Sequence, residues 1–169
     1  LIGTILLMLP VSSAEKNITN FVNALFTATS ATCVTGLIVV NTGTYYSLFG
    51  QIVILLLIQI GGLGIMTIST AFALMLGQRI SLNVQTLMHK VVGETPVIDV
   101  MKLLRATVLV TVIIEFMGAI FLFSGFAKIM PVAKAIYYSI FHSVSAFCNA
   151  GFSLWTNNLS GFVDSPLVN

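Results

Sequence analysis

The sequence predicts an all-α polytopic membrane protein, and three observations predict it. Of its 169 residues, 57% are apolar and only 7% charged, whereas soluble domains carry roughly 25% charged residues. A soluble fold of this composition would have too little polar surface to stay dispersed. The stretch from Asn17 to Gln78 contains no Lys, Arg, Asp, Glu or His. Finally, a pattern of long and short apolar segments recurs along the chain. The formal net charge of +2, with no basic run, gives no reason to expect a nucleic-acid partner. Cys33 and Cys148 lie in apolar surroundings and offer neither a disulfide framework nor a metal spacing.

"LIGTILLML" (Leu1–Leu9) is apolar and stops near Pro10. It has about half the ~20 residues needed to span a bilayer, and no basic n-region of a signal peptide precedes it. It reads as the end of a first membrane helix, so the chain is expected to be a fragment that begins partway through it. A polar link, "VSSAEKN", follows. "NITNFVNALFTATSATC" can then be helical from about Thr19 to Ala31, with Asn17 or Thr19 as the N-cap. That helix is too short to cross and too apolar for water, which predicts a half-crossing, re-entrant element.

Leu48 to Leu76 has the length and character of a full crossing, and it contains Gly61, Gly62 and Gly64. Those glycines allow close approach of neighbouring helices, with a bend as the alternative. From Gly77 to Arg105 the chain is conventionally polar and holds four of the seven basic residues, Arg79, Lys90, Lys102 and Arg105. The positive-inside rule makes this loop cytoplasmic. Within it, Val84, Leu87, Met88, Val91 and Val92 fall at helical spacing, until Gly93 and Pro96 interrupt. This amphipathic stretch could dock a partner, lie on the membrane surface or pack under the bundle; His89 within it reads as solvated. Ala106 to Ala127 is a further crossing, with Glu115 near its middle. "KIMPVAKAIYYSIFHSVSAFC" repeats the short-helix pattern, Pro131 suiting a first helical position. Tyr137, Tyr138 and Trp155 suit an interfacial belt.

The repetition is explicit in the residues. "FTATSATCVTG" (Phe26–Gly36) lies over "FHSVSAFCNAG" (Phe141–Gly151), 115 positions on, with Phe26/Phe141, Ser30/Ser145, Ala31/Ala146, Cys33/Cys148 and Gly36/Gly151 identical. The same shift lays "LIGTILL" over "FMGAIFL". Each unit reads helix, half-helix, short non-helical loop, helix. The first is expected over 1–77 with its first helix truncated. A cytoplasmic linker follows over 78–102, and a second unit over 103–169, whose closing helix begins near Val163.

A loop after a re-entrant half-helix brings backbone carbonyls to membrane depth, which is tolerated only in a protein-lined or wet cavity. Ion filters use that arrangement, carbonyl oxygens replacing the hydration shell of a cation. The C-terminal end of a half-helix carries roughly −0.5 of a charge and favours cations too. Turning a carbonyl toward an axis often needs φ > 0, which Gly adopts without a Cβ clash. The candidate ion-binding positions, through backbone carbonyls, are therefore Thr32, Cys33, Val34, Thr35 and Gly36, with Phe147, Cys148, Asn149, Ala150 and Gly151. Of the hydroxyls at Thr27, Thr29, Ser30, Thr32 and Thr35, only Thr32 and Thr35 are expected to hold the loop. The others are expected to back-bond to helix carbonyls.

"TATSATCVTGL", the following "FGQIVILLLIQIGGLGIMT" and "FHSVSAFCNAGFSLW" resemble the membrane subunit of the Trk/Ktr/HKT superfamily of potassium transporters, most of all the bacterial Ktr-type subunit. The resemblance spans essentially the whole chain. It implies four such units per chain around one potassium-channel-like pore, with one filter glycine each, Gly36 and Gly151 being the first two. It implies potassium transport across the cell membrane by a multi-pass protein, with Na⁺ as a coupling or activating ion. K⁺ is held only by the filter, and no organic cofactor is expected in this chain. The partners it implies are membrane lipid, the remaining two units of the same chain, a second membrane subunit in a homodimer, and a cytosolic ring of regulatory subunits that binds ATP or ADP. The sequence holds two of the four units and not the gating loop the family places in the third, so either the natural chain is expected to continue or two chains to meet. One glycine per loop, where tetrameric channels have TVGYG, predicts fewer tight sites and looser discrimination between K⁺ and Na⁺.

Two other readings remain at this point. A tetrameric cation channel subunit would need four copies of one loop, whereas the two loops here differ. A membrane-embedded enzyme would need Glu115, His142 as base and Cys33 or Cys148 as nucleophile to converge. Glu115 itself reads either as a hydrogen-bonded structural carboxyl or as part of an ion pathway.

Overall fold

Pro10 marks where the first helix ends. In the computed structural model, which describes residues 1–75, 100–156 and 158, α1 (Ile2–Met8) stops at Leu9, whose extended backbone (φ −61°, ψ 140°) is the conformation a following proline enforces. A 3-10 turn, Pro10–Ser12, follows. Next come α2 (Phe21–Thr32), the single turn α3 (Thr42–Tyr45), α4 (Leu48–Met75), α5 (Val100–Phe126) and α6 (Val132–Phe147). Among the described residues the sole strand-like pairing is an isolated bridge between Ser13 and Tyr46.

Two of the helices match membrane dimensions and two fall short. Leu48–Ser69 and Arg105–Phe126 are long and apolar enough to cross. The 12 residues of α2 and 16 of α6 rise only about 18 and 24 Å, against a hydrocarbon core of ~30 Å. α5 begins at Val100, six residues ahead of the expected Ala106, because Lys102 and Arg105 are good helix formers that carry the helix beyond its apolar span. α2 starts later than expected. Its N-cap is Asn20, whose Oδ1 accepts from the Val22 N–H at 2.9 Å, and neither Asn17 nor Thr19 takes that place. Pro131 is the N-cap of α6 and not its first helical residue. The stretch 78–99 of the expected linker, with Val84–Val92 and His89, and the closing helix expected near Val163 lie outside the described residues.

α4 is central. It packs against α1, α2, α5 and α6, while α5 lies mainly along α6. The core collects Leu7, Ala28, Ile54, Ile58, Phe141 and Val144 from four of the helices, α1, α2, α4 and α6. Small residues permit the close approaches: a Cβ on Gly3 would come within 2.7 Å of the Leu57 side chain. On the outer side of α5, Leu109, Phe116 and Phe121 are 60–67% exposed. Such a stripe would be an aggregation hazard in water and is the natural surface for lipid.

Candidate functional site

Both half-length helices end in the same backbone device. After α2, the N–H groups of Cys33, Val34 and Thr35 turn back to the carbonyls of Thr29, Ala31 and Ser30 at 2.8, 3.3 and 3.0 Å. After α6, those of Cys148, Asn149 and Ala150 return to Val144, Ala146 and Ser145 at 2.9, 3.0 and 2.7 Å. These are Schellman endings, which place the residue after the cap in the left-handed region: Val34 at φ 57° and Asn149 at φ 57°. Two residues on, Gly36 and Gly151 return to positive φ, 73° and 71°, where a Cβ would be strained. The three N–H groups of each loop are consumed by the helix end. Among the described residues no protein donor reaches the carbonyls of 33–36 or 148–151.

The two loops meet. A Cβ on Gly36 would stand 2.7 Å from the Ala150 carbonyl oxygen and 3.1 Å from Gly151 Cα, and one on Gly151 would stand 3.2 Å from Gly36 Cα. Further along, the Asn41 amide donates to the Thr156 carbonyl at 3.4 Å, and Gly43 lies against the Leu154 backbone so closely that no Cβ fits. Thus Thr32–Gly36 and Phe147–Gly151, read from sequence as one site, are brought together at Gly36 and Gly151. Both half-helices point their C-terminal ends into these loops.

α4 seats both helix ends through adjacent glycines. A Cβ on Gly61 would collide with the Thr32 carbonyl, and one on Gly62 would lie 2.6 Å from Cys148 Sγ. The sequence assigned these glycines close packing, and at these two they serve it; around Gly64 a Cβ would find open space. Cys148 is 7% exposed, whereas Cys33 is exposed and lines a cleft of about 200 Å³ with Gly3, Thr4, Ala28 and Leu57.

The hydroxyls divide differently from the expectation. Thr35 does hold its loop, its Oγ1 lying 3.0 Å from Ser30 Oγ. Thr32, expected to do the same, back-bonds instead, donating to the Ala28 carbonyl at 2.8 Å. The reason is geometric: Thr32 is the last helical residue, and its side chain still faces the preceding turn. Thr27 and Ser30, expected to back-bond, are structural links: Thr27 Oγ1 accepts from the Tyr46 hydroxyl at 3.2 Å. On α6, Ser145 Oγ donates to the Phe152 carbonyl at 2.7 Å.

Sequence reasoning passed over Gln51. It is 8% exposed, and its amide N–H₂ donates to the carbonyls of Thr42, Gly43 and Tyr46 at 3.4, 3.3 and 2.8 Å. Its Oε1 accepts from the Tyr137 hydroxyl at 3.0 Å. One buried amide therefore fixes the segment after the first loop and ties it to α6. Two Gln, at 51 and 59, in a run as apolar as "LFGQIVILLLIQ" were the available signal, since buried polar groups need partners. Tyr137 thereby has a definite bonding role beyond an interfacial one, and Tyr138 packs edge-on against Trp155 at 5.3 Å.

Glu115 joins α5 to its neighbours. Its Oε2 accepts from the Gln59 amide of α4 at 3.3 Å, and its backbone carbonyl accepts from Ser143 Oγ of α6 at 2.6 Å. His142 is bonded to Tyr138, Ser153 and Leu154 through its two ring nitrogens, so neither nitrogen is directed at a cysteine.

The family model described as "TrkH: Cation transport protein" matches residues 1–169. The chain is 42% identical over 169 residues to the Ktr system potassium uptake protein B of Bacillus subtilis, covering 100% of this chain and 38% of that protein. It is 40% identical over 166 residues to the Ktr system potassium uptake protein B of Vibrio alginolyticus, covering 98% of this chain and 36% of that protein. With the potassium/sodium uptake protein NtpJ of Enterococcus hirae it shares 41% identity over 159 residues, 94% of this chain and 35% of that protein. The chain thus spans well under half the length of each of these relatives. Two apolar spans, two half-length helices whose terminal loops meet, and a match running from the first residue to the last converge on one conclusion: the chain belongs to the TrkH family of membrane cation transport proteins.

Proposed function

We propose that the chain contributes two of the four loops of a potassium-selective filter. K⁺ moves passively between the backbone carbonyls of Thr32, Cys33, Val34, Thr35 and Gly36 and those of Phe147, Cys148, Asn149, Ala150 and Gly151. The observation that carries this reading is the approach of Gly36 to Gly151 at the ends of two half-length helices, with the carbonyls around them free of protein donors among the described residues. Carbonyl oxygens replace hydration water, and two helix C-termini aimed at one place add roughly half a negative charge each. Both terms attract cations and repel anions, and neither requires a side-chain carboxylate. No catalytic step belongs to this reading.

Relatives named for potassium uptake support K⁺ as cargo, and one named for potassium and sodium uptake supports a part for Na⁺. In this reading residues 1–77 and 103–169 are successive pore units joined by a cytoplasmic linker over 78–102. Two further units, in a longer chain, complete the ring in the cell membrane. A second membrane subunit and a cytosolic nucleotide-binding ring, which docks on the linker side, are the proposed partners. Glu115 joins α5 to α4 through one carboxyl oxygen and to α6 through its backbone carbonyl, while its other carboxyl oxygen is buried without a hydrogen-bond partner among the described residues.

The test is Gly36→Ser in the complete gene, expressed in cells without their own K⁺ uptake, with Rb⁺ and Na⁺ influx measured at matched membrane abundance. Preference for Rb⁺ over Na⁺ falls by about tenfold or more, the scale of a filter contact of ~1.4 kcal/mol. An unchanged preference removes Gly36 from the filter.

A further inference from the structure

His142 is a buried titratable side chain that the filter itself does not use. It is 3% exposed and sits in an aromatic nest, with Phe126, Tyr138 and Phe141 rings 5.8–5.9 Å away. Its bonds determine its protonation. The Tyr138 carbonyl, 2.7 Å from Nδ1, can only accept, so Nδ1 carries the proton. The Leu154 N–H, 3.3 Å from Nε2, can only donate, so Nε2 is bare. Ser153 Oγ, 3.1 Å from Nε2, accepts from the Trp155 N–H at 3.0 Å and is left to donate its own proton to the ring. The imidazole is therefore neutral, in the Nδ1–H form, and serves as an acceptor for two consecutive residues of the chain beyond Gly151.

Ser145, three residues along on the same helix face, holds the Phe152 carbonyl. Residues 152, 153 and 154 are thus pinned in succession to α6 by two side chains. Leu154 is also the residue against which Gly43 of the other segment lies. The placement of Gly151 opposite Gly36 is fixed on one side by the helix end and on the other by this strap.

We infer that His142 is a positioning residue for ion discrimination: as a neutral acceptor it sets the outgoing limb of the second loop, and with it the carbonyls of Ala150 and Gly151. This rests on the filter reading above. Position 142 corresponds to Thr27 in the first unit, 115 residues earlier, where the hydroxyl serves the Tyr46 hydroxyl instead. Of the two loops described, the imidazole serves the second and not the first.

The experiment compares His142→Gln with His142→Asn in the complete gene, reading the KM for Rb⁺ and the Rb⁺-over-Na⁺ preference at matched membrane abundance. A Gln amide reaches the place of Nε2, where its oxygen accepts from Leu154. An Asn amide is one methylene shorter and serves only its own helix. The Asn variant is expected to raise KM or lower the preference by about fivefold, the scale of one lost hydrogen bond, with Gln within about twofold of native. Native KM and preference in both, or an equal fall in Vmax alone, overturns the inference. Should neither variant accumulate, Ser153→Ala decides: a raised KM supports the strap and a native KM overturns it. Gly151→Ser separates the two levels. If it loses preference while the Asn variant behaves as native, His142 alone is wrongly assigned; if Gly151→Ser itself behaves as native, the filter reading fails.

Discussion

Val34 and Asn149 hold nearly the same left-handed backbone at φ 57°, yet only one of them is a residue type that tolerates it. Asn is among the few non-glycine residues enriched there, whereas a β-branched residue is an outlier, at a cost of roughly 1–2 kcal/mol. The flanking side chains differ as well. The first loop is steadied by a hydroxyl pair, Ser30 and Thr35, and leaves Cys33 and Thr35 exposed. The second buries Cys148 and Ala150 and is strapped from outside by Ser145 and His142. The repeated serine, Ser30 or Ser145, bonds a different partner in each loop, so a shared conformation with different contacts teaches that the backbone path is the common requirement. A site made of carbonyls predicts this, because it constrains where the main chain runs and leaves each loop to find its own supports.

The sharpest way to break that comparison is to give each loop's glycine a methyl group. Both sites have positive φ and so share the conformational strain of ~1–2 kcal/mol. Gly36→Ala adds a second difficulty, a Cβ 2.7 Å from the Ala150 carbonyl oxygen, whereas Gly151→Ala meets nothing nearer than 3.2 Å. Gly36→Ala is expected to depress Rb⁺ uptake about tenfold or more, with Gly151→Ala several-fold milder, since each tenfold corresponds to 1.4 kcal/mol. Uptake at matched membrane abundance measures it. The reverse order would mean that the loops do not approach each other as described.

A smaller effect comes from the supports. Ser145→Ala leaves the Phe152 carbonyl without its partner in a buried setting, a loss of about 1–3 kcal/mol. Ser30→Ala removes a bond whose other member, Thr35, is exposed and can turn to water, so ~0.5 kcal/mol is expected. Thermal denaturation in detergent should place the melting temperature of Ser145→Ala clearly below that of Ser30→Ala. Equal shifts would dissolve the distinction between a loop held from outside and one held within itself.

Much of this was legible in the sequence, for physical reasons. Apolar length separates full crossings from half-helices, because the bilayer sets the threshold. The offset between Phe26–Gly36 and Phe141–Gly151 gave the paired loops and both glycines. Details that depend on which way a side chain leaves the helix were not legible. Thr32 and Ser30 are two residues apart on one helix, and only their rotation decides that one back-bonds while the other reaches Thr35. Asn20, and not Asn17 or Thr19, caps α2, because three polar residues within four positions leave the choice to tertiary contacts. Gln51 and His142 act across 86 and 12 positions of chain, a reach that no local pattern encodes.

The finest test exchanges the two left-handed residues. Asn149→Val places a β-branched side chain at an exposed left-handed position, with strain of ~1 kcal/mol or more and no buried surface in return. Val34→Asn relieves that strain, but Val34 is half-buried and packs against the core, so roughly 1 kcal/mol of apolar burial goes with it. The exchange is therefore not symmetric: Asn149→Val lowers stability by about 1 kcal/mol, and Val34→Asn changes it by ~0.5 kcal/mol or less, because its two terms oppose. Chemical denaturation of the two variants resolves the difference. Mirror-image shifts would show that Val34 contributes no packing, and that its loop keeps its shape through the helix-end hydrogen bonds alone.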